Sequence, residues 1–146
     1  MKLEFQTYTL DLQNTFTLAT SSRKNTPVVL TQIEHKGITG YGEGSMPPYL
    51  GESHQTAIKF LSQVDVSQLD NPHDITSIMS YVDQIDEGNC AAKASIDIAL
   101  HDLVGKLKNK SRHEIWGLSL DKIPVTSYTI GIDEESIIRK KVKEAE

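Results

Sequence analysis

Residues 90–107 limit the fold more than any other stretch. Ala92, Ile96, Ala99, Leu100, Leu103 and Leu107 recur at helical spacing and form one apolar stripe of a long helix. Its alanines carry so little side chain that a neighbouring backbone can approach closely, which predicts a helix at the centre of the domain. The chain before it keeps a different period. Residues 2–12 alternate, with Leu3 and Phe5 on one face and Tyr8, Leu10 and Leu12 continuing after a change of phase, the pattern of a long strand with a bulge or bend. Pro27–Ile33 is rich in β-branched residues, and His35-Lys36-Gly37 supplies a turn before the run Ile38–Glu43. These three runs predict an antiparallel meander, which needs a helical layer on its apolar face to be stable.

The remaining segments supply that layer. Ala57, Ile58, Leu61 and Val64 have helical spacing, and Asn71-Pro72-His73-Asp74 reads as a helix start, with Asn71 as cap and Pro72 in the first turn, continued by Ile75, Ile78, Met79, Val82 and Ile85. A short turn from Arg112 ends at Gly117, a residue suited to a left-handed cap. The fold class is therefore α+β, a three-stranded antiparallel meander followed by a helical bundle, with a boundary near Leu120. Beyond it, Pro124–Ile132 reads as a buried strand, and Asp133 opens a helix running to Glu146. A strand and a helix of this kind cannot bury their apolar faces alone, because a parallel barrel of such units takes about 250 residues. The expectation is the front part of a larger protein. Two stretches read as exposed loops: the polar residues 13–26, with Phe16 and Leu18 as isolated anchors, and residues 44–51.

Composition removes several functions. A net charge of −5 argues against a general nucleic-acid binder, which gains affinity from a basic face. The basic run Arg139, Lys140, Lys141 and Lys143 is flanked by Glu134, Glu135, Glu144 and Glu146 and reads as a solvated helix face. No apolar run approaches the roughly 18–20 residues that span a bilayer, so no membrane partner is expected. The single Cys90 excludes an intrachain disulfide and, with no signal-peptide core at Met1–Phe5, leads to the expectation of a cytoplasmic protein. The five histidines lack zinc-ligand spacing. Gly40–Gly44 looks like a phosphate loop, but Pro47 and Pro48 follow where its helix would begin. Asp97 and Asp102 lie five apart and share no helix face, which favours structural hydrogen bonds over paired acid/base work.

Several motifs resemble those of the enolase superfamily, in its muconate-lactonizing subgroup. Tyr41-Gly42-Glu43-Gly44 is similar to the "GWGE" end of that family's third strand. The run Ala91–Leu103, which contains Ala94-Ser95-Ile96-Asp97-Ile98-Ala99-Leu100-His101-Asp102-Leu103, is similar to its alanine-rich "A-x-A-A-I-D-x-A-L-x-D" helix. Ile115-Trp116-Gly117 resembles the "L-L-G" that closes its capping domain, and Ser127–Ile130 resembles the first barrel strand of the dipeptide epimerases in that subgroup, typified by the L-Ala-D/L-Glu type. The resemblance implies that residues 1–122 are an N-terminal capping domain and residues 123–146 the start of a C-terminal (β/α) barrel. The implied activity is inversion of a Cα centre of a small dipeptide by proton abstraction α to a carboxylate, through an enediolate stabilised by Mg2+. The catalytic lysines and magnesium ligands of the family lie on later barrel strands, so none is expected in this chain, and the chain alone is expected to be inactive. The full-length protein is expected to be an isomerase and a homo-oligomer. The same cap serves o-succinylbenzoate synthases and cycloisomerases of the subgroup, and a stand-alone α+β binding or assembly domain is the reading from a different class.

Four residues are candidate substrate contacts. In the family, two cap loops select the substrate side chain, and they correspond here to residues 17–26 and 45–52. In the first, Arg23 can grip a carboxylate with two parallel N–H groups; an ungapped match puts Ser21 at the position of the family's arginine. In the second, stiff prolines and apolar residues suit a lid that excludes water, with Tyr49 and Leu50 as the contacts. Thr129 lies toward the carboxyl end of the first barrel strand and aligns with a threonine that touches the dipeptide in related epimerases. The bland alternatives are a surface arginine, a rigid connector, and a threonine that only packs in the barrel.

Overall fold

The computed structural model describes residues 1–145, the side chain of Pro48 excepted; Glu146 lies outside the described residues. Three strands, β1 (Lys2–Leu18), β2 (Ser21–His35) and β3 (Ile38–Ser45), form an antiparallel sheet in the order β1-β2-β3. Helices α1 (His54–Leu61), α2 (Ile75–Ile85), α3 (Cys90–Lys108) and α4 (Arg112–Ile115) follow, and α5 (Glu135–Ala145) comes after an extended segment. The expected α+β meander with a helical layer is what forms.

The sheet and α3 meet without intervening side chains. A Cβ added at Gly42 would overlap the Ser95 carbonyl oxygen and lie 2.7 Å from the Ala99 nitrogen, and Gly40 and Gly44 are as tightly covered by α3. Alternate residues of β3 are therefore glycine because the backbone of α3 occupies the space their side chains would take. The alanine stripe of α3 makes the same concession from the other side: Ala92 and Ala99 are fully buried, together with Ile96, Leu100 and Leu103. The inner face of β2 adds Val29 and Ile33, and Phe60, Leu61, Ile78 and Val82 of α1 and α2 close the core. One polar pair is buried within it. Thr31 and Ser95 hydroxyls lie 2.7 Å apart, and because Ser95 spends its proton on Ala92 O, Thr31 is the donor.

Four expectations are corrected. Residues 13–26 are not a loop: β1 and β2 continue as a hairpin to Leu18↔Ser21, which pairs backbone groups that a loop would leave to solvent. The irregularity expected near Tyr8 lies instead between Asp11 and Phe16; the ladder is unbroken from Lys2↔Glu34 to Asp11↔Asn25, so Tyr8 and Leu10 fall on the outer face. Helix α2 starts later than Asn71. Asn71 accepts from His73 N–H in a local turn, and Asp74 is the cap, accepting from Ser77 N–H at 3.2 Å. Finally, residues 124–132, expected as a buried strand, are assigned no strand. Val125 is 97% exposed there. Gly117 does end α4 in the left-handed region, with φ of 66°.

Replacing Gly42 by alanine should therefore cost about 3 kcal/mol of unfolding free energy, because the clash is with backbone that cannot rotate away. Gly37→Ala, in a turn with open space but φ of +78°, should cost only about 1–2 kcal/mol. Urea denaturation of the two variants measures the difference.

Candidate functional site

The irregularity in β1 opens a cavity. Residues 12–15 leave the β1–β2 ladder, and the extended segment after α4 comes back against the hairpin where pairing resumes. One backbone hydrogen bond fixes it, from Ile132 N–H to Thr17 O at 2.8 Å, and Gly131 permits the contact, because a Cβ there would meet Thr17 N at 2.9 Å. Between these pieces lies a cavity of about 260 Å³, lined among others by Asn14, Phe16, Arg23, Thr129, Gly131 and Lys141. Two of the four predicted contacts, Arg23 and Thr129, are thus brought together from segments a hundred residues apart. Tyr49 and Leu50 are not among its lining residues. They project from a 3-10 turn, 70% and 52% exposed.

Arg23 is the chemically informative member. Its guanidinium lies over the Phe16 ring, 5.5 Å from the centroid, and its Nε and Nη1 are buried without a hydrogen-bond partner among the described residues. Buried guanidinium N–H groups without acceptors are costly. A carboxylate entering the cavity would relieve one of them, docking either on the Nε/Nη2 edge or on the Nη1/Nη2 edge of the fork.

Lys141 corrects the reading of the basic run as a wholly solvated face. Arg139 and Lys140 are exposed and pair along the helix with Glu135 and Glu144, but Lys141 is only 8% exposed and reaches back to Asp133 at 3.0 Å. The hydrogen bond from Lys141, with that from Glu134 N–H second, holds the Asp133 carboxyl below the usual carboxylate range. Sequence reasoning missed this pair because its spacing of eight residues crosses the start of α5 and belongs to no helix-face rule.

A second cleft, about 340 Å³, lies where α3 meets α4, and there too buried nitrogens, Arg112 Nε and His101 Nδ1, have no hydrogen-bond partner among the described residues. Lys106 bonds Asp102 at 2.6 Å and Thr39 O at 2.9 Å, and Arg112 stacks on Trp116. Asp102 also accepts from Tyr41 N–H at 2.8 Å, the structural role expected of it. Among the described residues no group of three or more His, Cys, Asp or Glu side chains is placed to hold a metal ion. Among the described residues no helix is long and apolar enough to cross a membrane.

Residues 5–117 match the model of the mandelate racemase / muconate lactonizing enzyme N-terminal domain. The chain is 50% identical to the L-Ala-D/L-Glu epimerase of Bacteroides thetaiotaomicron over 144 residues, covering 99% of this chain and 38% of that protein. Among solved structures it is similar to the dipeptide epimerase from Enterococcus faecalis V583 complexed with Mg and L-Leu-L-Tyr, with a TM-score of 0.84 and 29% identity over 97% of this chain and 41% of the other. The dipeptide epimerase from Cytophaga hutchinsonii, complexed with Mg and D-Ala-L-Val, gives a TM-score of 0.82 and 26% identity over 97% and 39%. The chain therefore spans about two fifths of the length of the relatives it matches.

Asp133, the partner of the lining residue Lys141, provides a direct check on that pair. Its carboxyl carbon should titrate below the usual carboxylate range by 13C NMR, and Lys141→Met should return it upward. Because the folded value is the depressed one, the stabilisation from this pair is present above the unfolded carboxylate value and is lost as pH falls through the folded one.

Proposed function

The chain belongs to the mandelate racemase / muconate lactonizing enzyme family of the enolase superfamily, with residues 5–117 as its N-terminal domain, and from that membership we propose that it supplies the substrate-recognition part of a magnesium-dependent dipeptide epimerase. The observation that carries the proposal is the cavity shared by Arg23 and Thr129. In this reading residues 1–122 are the cap and residues 123–146 begin the barrel, so the cavity spans the seam between them. Arg23 receives a substrate carboxylate on one edge of its guanidinium, and the Thr129 hydroxyl orients the dipeptide from the barrel side. The Phe16 ring against the guanidinium restrains the side chain, which limits the rotamers to be frozen on binding. Tyr49 and Leu50 act from the second connector, outside the cavity, as apolar contacts that exclude water.

The magnesium ion, in this proposal, belongs to parts of the full-length enzyme other than these residues, and its chemistry is stabilisation of the charge that develops on the substrate carboxylate. Proton abstraction is likewise assigned elsewhere. Lys141 is the lysine that lines the cavity, and its ammonium is committed to Asp133 at 3.0 Å. The chain is cytoplasmic and acts within a homo-oligomer in the same proposal.

Two measurements bear on it. The 146-residue chain with magnesium should show no epimerisation of L-Ala-L-Glu followed by deuterium incorporation at Cα; clear turnover would refute the division of labour. In an active protein containing this chain, Arg23→Met should weaken acidic dipeptides by about 30-fold, roughly 2 kcal/mol, with a smaller effect on apolar ones. An equal loss for both classes would remove Arg23 from substrate recognition.

A further inference from the structure

Helix α3 lacks a cap of its own. Asn89 stands at the N-cap position, but its backbone is left-handed, with φ of 52° and ψ of 36°, and its side chain makes no capping bond, turning instead to Asp86 and Glu87. A capping residue normally has extended backbone, which aims its side chain at the first free N–H groups. At α3 those groups are taken by a distant residue. Cys90 N–H donates to Glu52 Oε1 at 2.7 Å, and Ala91 N–H donates to Glu52 Oε2 at 2.9 Å. A carboxylate at the positive end of the helix, accepting two hydrogen bonds at once, is a strong form of this contact.

The consequence falls on the connector that Glu52 ends. Ser53, the next residue, caps α1 in a reciprocal box with Thr56, so two successive residues tie the chain to two different helices. At the other end Met46 is fully buried and its N–H donates to Pro27 O at 2.9 Å. Inside, Leu50 N–H donates to Pro47 O at 3.0 Å, closing one turn. What remains unheld is the pair of side chains Tyr49 and Leu50.

We propose that Glu52 is a positioning residue that clamps the connector 46–52 to α3, so that Tyr49 and Leu50 are presented on a fixed platform and not on a swinging flap. The inference rests on reading this connector as the substrate lid only for its functional meaning; the clamp itself is a property of the fold. A fixed platform lowers the ordering cost of binding, and it makes the lid's apolar contacts selective for one side-chain shape.

Amide hydrogen exchange and 15N relaxation on the 146-residue chain test the clamp. Glu52→Ala should accelerate exchange at Cys90, Ala91 and Leu50 at least ten-fold and lower the order parameters of Tyr49 and Leu50, while Ile33 and Leu103 keep their protection. Glu52→Gln retains one acceptor oxygen and should restore protection at one of the two α3 amides. Unchanged exchange at Cys90 and Ala91 in the alanine variant would overturn the proposal. So would acceleration confined to those two amides with Leu50 unmoved, or equal acceleration at Ile33 and Leu103, or a Gln variant indistinguishable from Ala. The lid reading is tested separately: in an active protein containing this chain, Tyr49→Ala should reduce discrimination between dipeptides with large and small side chains. Unchanged discrimination there would refute the lid while the exchange data still decided the clamp.

Discussion

Backbone-to-backbone approach between β3 and α3 sets the geometry of everything else. With glycine at residues 40, 42 and 44 and alanine along the facing stripe, the helix axis sits closer to the sheet than side chains of ordinary size would permit. Close packing of this kind leaves no slack for sliding, because the contacting atoms are main chain and cannot change rotamer. The position of α3 then dictates where its N-terminus lies, and so where Glu52 must be to reach it. It also dictates where Asp102 meets the outer N–H of Tyr41, which ties down part of the free edge of β3. The connector and the sheet edge are both placed by the same helix.

The core of this arrangement was legible because it is written in local periodicity. The alternation of β1, the β-branched run of β2 and the apolar stripe of α3 each carry their own signal, and Gly37 and Gly117 mark turns through a single backbone preference. What escaped was long-range. Residues 13–26 are polar because both faces of the extended hairpin are largely exposed, and polarity alone cannot separate an exposed hairpin from an exposed loop. The start of α2 was misplaced because Asn71 and Asp74 are both competent caps, and the choice depends on which side chain reaches a free N–H.

The candidate site divides in the same way. Arg23 and Thr129 were reached from a resemblance and from residue chemistry, yet nothing in the sequence says that they line one cavity. That fact comes from the irregularity at residues 12–15 and from Gly131, which admits the later segment to Thr17. Lys141 looked like one cation among four on a surface helix. Only its burial and its pairing with Asp133 separate it from its neighbours.

The charge of the cavity follows from that pairing. Two cations line it, but the Lys141 charge is cancelled at 3.0 Å by Asp133, while the Arg23 charge rests on an aromatic face that offers it no hydrogen-bond acceptor. An anion entering the cavity therefore meets one unneutralised donor set, on the hairpin side, and a neutral pair opposite. In the proposed recognition role this arrangement would orient a ligand with a single acidic end, because only Arg23 offers it donors without a partner among the described residues. That preference, in the proposal, rests on the asymmetry of partners and not on the number of basic residues, which a count of charges along α5 does not register.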